Sequence, residues 1–186
     1  MKIIVGISGA SGAVMGERLL RELKRQGVET HLVVTEGAAK TLAMETKIRL
    51  DDLRRLAAAN YAPDDMAAAI ASGSFVTDGM IIMPCSLKTV AGIASGYADN
   101  LLLRAADVCL KEGRKVVLVP RESPLSTIHL KNLRKAAKAG CVIVPPMLTF
   151  YNGADTVEKQ IAHIIGKVLM QFSLIGEGFV PWGASE

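Results

Sequence analysis

Aromatic residues are scarce in this sequence: Phe, Trp and Tyr make up 4% of its 186 residues, and Trp182 is the single tryptophan. So few rings leave little on which unpaired bases could stack, which argues against a single-stranded nucleic-acid binder. Charge is not concentrated either. Lys and Arg number 22 against 18 Asp and Glu, with no block of like sign; a basic surface face is one reading of this mild excess, and basic groups gathered around small phosphates is the other. Cysteine is sparse and odd in number. Cys85, Cys109 and Cys141 lie far apart without a C-x-x-C pair, which excludes a disulfide framework and reads as reduced, buried thiols in a cytoplasmic protein. No His/Cys/Asp group has metal-ligand spacing, so no metal is implied. No run is long enough to span a bilayer, and the apolar start Lys2–Ile7 is too short for a signal sequence.

What the sequence has is apolar residues, half of the total, enough for the core of one α/β domain. It also has a distinctive start. Lys2 to Ile7 reads as a buried parallel strand; Gly6, Gly9 and Gly12 follow at intervals of three, and a helical pattern begins at once. A strand, a glycine turn and a helix N-terminus bring backbone N–H groups and the positive end of a helix dipole together, as a phosphate cradle requires. The spacing is not the dinucleotide G-x-G-x-x-G, and the second strand ends in a hydroxyl, Thr35, rather than a carboxylate. A mononucleotide phosphate is the expectation; a plain structural turn is the alternative.

Strand and helix patterns then alternate to the end of the chain. Strands are expected at Glu29–Thr35, Gly79–Met83, Lys115–Val119 and Cys141–Val144. Helices are expected at 12–26, 36–45, 87–95, 99–112 and 126–139, with a last one opened by a capping box at Asp155–Glu158. Asp99 is the expected cap of the helix at 99–112, and Asp51 that of one more helix, marked by Leu53, Leu56 and Ala57. Residues 60–74 read as a mixed loop and short helix with an edge strand near Tyr61. Alternation without repeats or linkers predicts an open parallel sheet with helices on both faces. Ligands of such sheets bind beyond the carboxyl ends of the strands. That rule gathers Gly9–Gly12, Thr35-Glu36, Pro84–Thr89, Pro120–Glu122 and Pro145–Tyr151 on one rim. Ser11, Thr35, Ser86 and Thr89 bring hydroxyls there, Lys88 and Arg121 positive charge, Glu122 a carboxylate and Tyr151 a phenol. Arg121 is suited to bidentate phosphate contact. His31 and His129 read as structural, and Cys85 as a buried thiol with no identifiable base.

Gly6-Ile-Ser-Gly-Ala-Ser-Gly12, Pro84-Cys-Ser-Leu-Lys-Thr89, Arg104-Ala-Ala-Asp107 with Leu110-Lys-Glu112, Pro120-Arg-Glu122 and Phe150-Tyr151 together resemble the UbiX family of flavin prenyltransferases. Older descriptions call its members aromatic acid decarboxylase subunits, and the flavoprotein group that contains it also includes EpiD. The resemblance runs in order over nearly the whole chain. It implies a single Rossmann-like, flavodoxin-type domain over 1–186 with a tail at 177–186, and a homo-oligomer, expected to be a dodecamer. It also implies bound FMN and metal-independent transfer of a dimethylallyl group from dimethylallyl phosphate to N5 and C6 of reduced FMN. Prenylated FMN would serve a UbiD-type decarboxylase.

Carried over by position, the resemblance implies FMN contacts at Gly9, Ala10, Ser11, Thr35, Ser86, Leu87, Lys88, Thr89 and Arg121. It implies prenyl-phosphate contacts at Tyr151, Lys167, Lys111 and Arg121, and acid–base or supporting roles for Glu122, Ser11 and Glu45. Lys167 stands where arginine is common in the family, and Met66 lies near a place where some members carry tryptophan. By itself Lys167 shares a polar stripe with Gln160, His163 and Gln171 and reads as a solvated face, Lys111 as a charge at a helix C-terminus, and Glu45 as an exposed side chain. Two other functions remain open: an FMN-dependent decarboxylase of the EpiD or phosphopantothenoylcysteine type, and a non-catalytic FMN carrier subunit. The tail, with Phe179 and Trp182, is expected to cross to a neighbouring subunit; packing on its own subunit is the alternative.

Overall fold

The computed structural model describes residues 1–183. Six strands form one parallel sheet in the order β3-β2-β1-β4-β5-β6. They are β1 (Lys2–Ile7), β2 (Glu29–Val34), β3 (Ala59–Tyr61), β4 (Gly79–Cys85), β5 (Lys115–Pro120) and β6 (Cys141–Ile143). Between and after them come α1 (Ala13–Arg25), α2 (Glu36–Glu45), α3 (Leu50–Arg54), α4 (Leu87–Ser95), α5 (Leu101–Lys111), α6 (Thr127–Lys138) and α7 (Val157–Met170). This is the single-domain, flavodoxin-like fold expected. No helix among the described residues is long and apolar enough to cross a membrane.

The central strands are apolar throughout because both of their faces are covered. Alternate side chains divide between two cores. Ile3, Val5, Ile7, Ile81, Met83, Val117 and Val119 face Leu19, Leu20 and Leu23 of α1 and Ile164, Val168 and Leu169 of α7. Ile4, Met80, Ile82, Val116 and Leu118 face Val90 of α4 and Leu101, Leu102 and Ala105 of α5. Each fully buried leucine contributes about 2 kcal/mol of burial free energy. Tyr61 marks the edge strand as expected, and His31 holds it there: its ring nitrogens lie 2.8 Å from the Tyr61 hydroxyl and 2.9 Å from a Glu29 carboxylate oxygen.

Three helix caps differ from expectation by one or two residues. The helix after residue 48 starts from Arg49, whose N–H Asp52 accepts at 3.4 Å, so Asp51 is inside it. Asn100, not Asp99, caps α5 by accepting from the Leu103 N–H. Thr156, not Asp155, caps α7, while Asp155 pairs with Lys159. Neighbouring polar residues are equally able to cap in sequence terms, and the direction from which the chain enters the helix selects among them.

The order of strands reverses at β1: the chain runs outward to β3, then returns to lay β4 on the other side of β1. The carboxyl ends of β1 and β4 therefore diverge into loops on opposite faces and leave a crevice.

Candidate functional site

A cavity of about 470 Å³ occupies that crevice. Its walls come from the turn after β1 (Ser8, Gly9), the start of α2 (Thr35, Glu36, Gly37), the start of α4 (Ser86, Lys88, Thr89), Pro63 and Asp64, and the start of α5 (Asp99, Asn100). Three helix N-termini thus open onto one space, and their dipoles favour an anion there. Their caps are polar side chains: Thr35 accepts from the Ala38 N–H at 3.2 Å, and Ser86 accepts from the Thr89 N–H at 3.3 Å and lies 3.0 Å from the Thr89 hydroxyl. Buried Ser8 locks the β1 and β4 turns together, donating to the Pro84 carbonyl at 3.2 Å and accepting from the Ser86 N–H at 2.7 Å. Lys88 and Asp99 stand 3.7 Å apart. Hydroxyls, helix starts and a lysine suit a phosphate, while Glu36, Asp64 and Asn100 can accept from the hydroxyls of a polyol chain.

Gly9 is required by a close approach. A Cβ on it would lie 3.1 Å from the backbone Cα and C of Gly37, so the β1 turn and the start of α2 touch main chain to main chain. At Gly12, the left-handed cap of α1 (φ 101°), the arrangement departs from the expected cradle. The N–H groups of Gly12 and Ala13 donate to Glu45 Oε2 at 2.8 and 3.2 Å. An internal carboxylate holds the start of α1, and the anion-receiving positions shift to α2 and α4. Partial burial raises the Glu45 pKa, but the Ser11 hydroxyl, those two N–H groups and the Arg121 charge outweigh it and hold the carboxyl below its ordinary value.

The other expected site residues divide by location. Gly9, Thr35, Ser86, Lys88 and Thr89 line the cavity. Ser11, Glu45 and Arg121 form a charged group beside it. Ala10 and Leu87 are buried, Leu87 within the core under α4. Glu122 is exposed at the end of β5 and accepts from the Ser123 N–H at 3.0 Å. Lys111 lies at the opposite end of the molecule: it ends the 11-residue α5, about 16 Å from the Asn100 cap, and pairs with Glu112. Lys167 is also remote from the crevice. It sits in the last turn of α7, just before Phe172, which packs on Gly79 and Lys115, the first residues of β4 and β5. Tyr151 stands edge-on to His163, with ring centroids 5.8 Å apart.

Residues 1–172 match the sequence profile of the Flavoprotein family. A protein of Sedimentibacter hydroxybenzoicus, named "Probable UbiX-like flavin prenyltransferase", is 56% identical over 183 residues, which span 98% of this chain and 97% of that one. This chain belongs to the UbiX-like group of the Flavoprotein family. Among solved structures, a dodecameric FMN-dependent UbiX-like decarboxylase from Escherichia coli O157:H7 superposes with a TM-score of 0.96 at 51% identity, covering 99% of this chain and 100% of that one. AnUbiX in complex with FMN and dimethylallyl pyrophosphate also gives 0.96, at 45% identity, over 100% and 98% of the two chains.

Several residues of this UbiX-like cavity were not visible in the sequence. Gly37, Pro63 and Asp64 belong to no recognisable motif; only the pairing of Gly37 with Gly9 across the turn explains its glycine. Cys85 is fully buried, and desolvation pushes its thiol far above the ordinary range, which removes it as a nucleophile. Within this subunit the tail has contacts of its own: Phe179 lies against Gly166 and His163, and Trp182, largely exposed, is edge-on to Tyr151 at 4.8 Å. Residues 184–186 of the tail lie outside the described residues.

Proposed function

We propose that this protein is a flavin prenyltransferase that transfers a dimethylallyl group from dimethylallyl phosphate to N5 and C6 of reduced FMN. The observation that carries this reading is the cavity where three helix starts, the Gly9–Gly37 contact and the Thr35, Ser86 and Thr89 hydroxyls converge. These groups fit the phosphate end of FMN. A side chain at Gly9 would fill the cradle, and the capping hydroxyls keep acceptor and donor capacity for phosphate oxygens. Ala10, Ser11, Leu87, Lys88 and Arg121 complete the proposed FMN contacts.

Reduced FMN supplies a nucleophilic ring nitrogen and a neighbouring carbon to such a site. The protein's own part is to bind and orient both substrates and to handle charge. Arg121 would hold the phosphate of the prenyl donor and stabilise negative charge on it as the C–O bond breaks. The Glu45 carboxylate, hydrogen-bonded by Ser11, lies within the field of the Arg121 charge. Glu122, solvent-facing and accepting from the Ser123 N–H, would with Ser11 and the departing phosphate take up the proton lost from the ring carbon on closure and return one to the prenyl double bond.

Lys111, Lys167 and Tyr151 are assigned to the same donor phosphate but stand away from this subunit's crevice. The reading therefore has them act on the phosphate of a second copy's crevice, and so includes a homo-oligomer. The dodecameric relative supports it. Prenylated FMN would be handed to a UbiD-type decarboxylase, and three buried free thiols favour the reducing cytoplasm.

The test is to incubate the protein with reduced FMN and dimethylallyl phosphate and to weigh the flavin. A flavin heavier by one prenyl unit supports the reading, and Glu122→Gln should lower its yield by about a hundredfold with FMN still bound. Carbon dioxide from a thiol substrate would make the protein an EpiD-type decarboxylase. Neither product would leave an FMN carrier.

A further inference from the structure

We infer that Gln160 is a positioning residue for Tyr151. The segment between β6 and α7 has no regular structure of its own, yet it carries this phenol. Gln160, buried in the first half of α7, holds the segment on both sides of Tyr151. Its Oε1 accepts from the Thr149 N–H at 3.0 Å. Its Nε2 donates to the Thr149 and Ala154 carbonyls, both at 2.8 Å. One amide thus binds both ends of a six-residue turn, and it does so in only one orientation, since a flipped amide would face two carbonyls with its oxygen.

The ring of Tyr151 is confined separately. His163, one turn along α7 and buried, stands edge-on to it at 5.8 Å and 84°, and Trp182 closes the other side at 4.8 Å and 89°. Backbone and ring are fixed while the residue as a whole stays 44% exposed, which leaves the phenol available to a ligand. Lys167 follows on the same stripe of α7. Holding the turn before the donor arrives removes an ordering cost that binding would otherwise bear. The inference rests on the proposal that Tyr151 contacts the prenyl phosphate.

The experiment uses the assembled protein loaded with oxidised FMN, which cannot accept the prenyl group, so the affinity for dimethylallyl phosphate is read directly by calorimetry. Wild type, Gln160→Ala, Gln160→Glu, Tyr151→Phe and the double variant Gln160→Ala/Tyr151→Phe are compared, with amide hydrogen exchange followed over residues 146–156. Gln160→Ala should lose protection in that segment, keep its FMN affinity and bind the donor about tenfold more weakly. Gln160→Glu preserves volume and the oxygen that accepts from the Thr149 N–H but sets its second oxygen against two carbonyls, so it should shift in the same direction, with a melting curve on each variant showing that the fold is kept. In the Tyr151→Phe background, Gln160→Ala should add less than about a twofold loss, because the residue acts through that hydroxyl. Unchanged protection, additive losses, or a Tyr151→Phe variant with wild-type affinity would each overturn the inference. A wild type that binds the donor but, with reduced FMN, transfers nothing would overturn the proposed activity alone. One that binds no donor would overturn both.

Discussion

Gly9 and Gly37 set the width of the cavity by a backbone contact, which no side chain can adjust. Gly9→Ala places a methyl 3.1 Å from two main-chain carbons of Gly37, and both turns must move apart by a few tenths of an ångström. We expect FMN affinity to fall by about tenfold, one such displaced charge-assisted contact being worth 1–2 kcal/mol, with the thermal midpoint little changed. Flavin fluorescence titration measures the first and a melting curve the second. The glycines of the β1 turn were legible because their spacing is local. What they hold was not. Glu45 reaches the start of α1 from 33 residues away, and a reading of adjacent residues assigns those N–H groups to a phosphate. The carboxylate exposes the limit of any motif: it names groups able to bind an anion without saying whether the chain already supplies one.

At the scale of elements, α7 shows the same limit. Its apolar stripe was plain from periodicity. The stripe through Gln160, His163 and Lys167 read as solvated, yet Gln160 and His163 are buried because the Tyr151 turn and the tail lie over them. Covering segments without periodicity of their own leave no trace in the helix they cover. Gly166 is part of that device: a Cβ there would overlap the Phe179 ring. Gly166→Ala should strengthen the isolated helix by about 1 kcal/mol and still loosen the tail. Limited proteolysis should then cut beyond residue 176 in the variant sooner than in wild type.

The tail has a second anchor whose strength depends on pH. Glu22 accepts from the Glu177 N–H at 3.0 Å. Hydrogen bonding from Arg25 outweighs partial burial, and with help from Gln26 and Glu177 lowers its pKa to about 2. A depressed carboxyl contributes stability that is complete above its unfolded value, near 4.5, and is lost as pH falls through the folded value. Glu22→Gln should therefore destabilise the protein at neutral pH, and the gap from wild type should close between pH 4.5 and 2. Denaturant titrations at several pH values decide it; a gap that persists undiminished at the acid end would contradict the assignment.

For the whole molecule, the sequence was a good guide to architecture. Continuous apolar runs at β1, β4 and β5 can only be strands covered on two faces, and the rule that ligands gather at carboxyl ends brings Gly9, Thr35, Ser86 and Thr89 to one rim, where they line one cavity. The edge strand at Tyr61 was faint because three residues carry little pattern. Pattern put Lys111 at a helix end and Lys167 on a polar stripe of the last helix, without any sign of what either serves. Their helices end at the amino side of the sheet, and the proposed role for them, serving a neighbour's crevice, lies beyond any linear reading.

That separation has a genetic reading. A cell that carries two defective copies of this gene, one broken in the Thr35–Ser86 cavity and the other at Lys167, would build mixed assemblies. On the proposed shared site, some sites in them would draw an intact cavity from one product and an intact lysine from the other. With free mixing, about a quarter of sites would be whole, and the two alleles would complement. Two alleles broken on the same side would not, however well their products assembled. Co-expressing differently tagged pairs and weighing the flavin they make would show whether inheritance at this locus follows the geometry of the subunit.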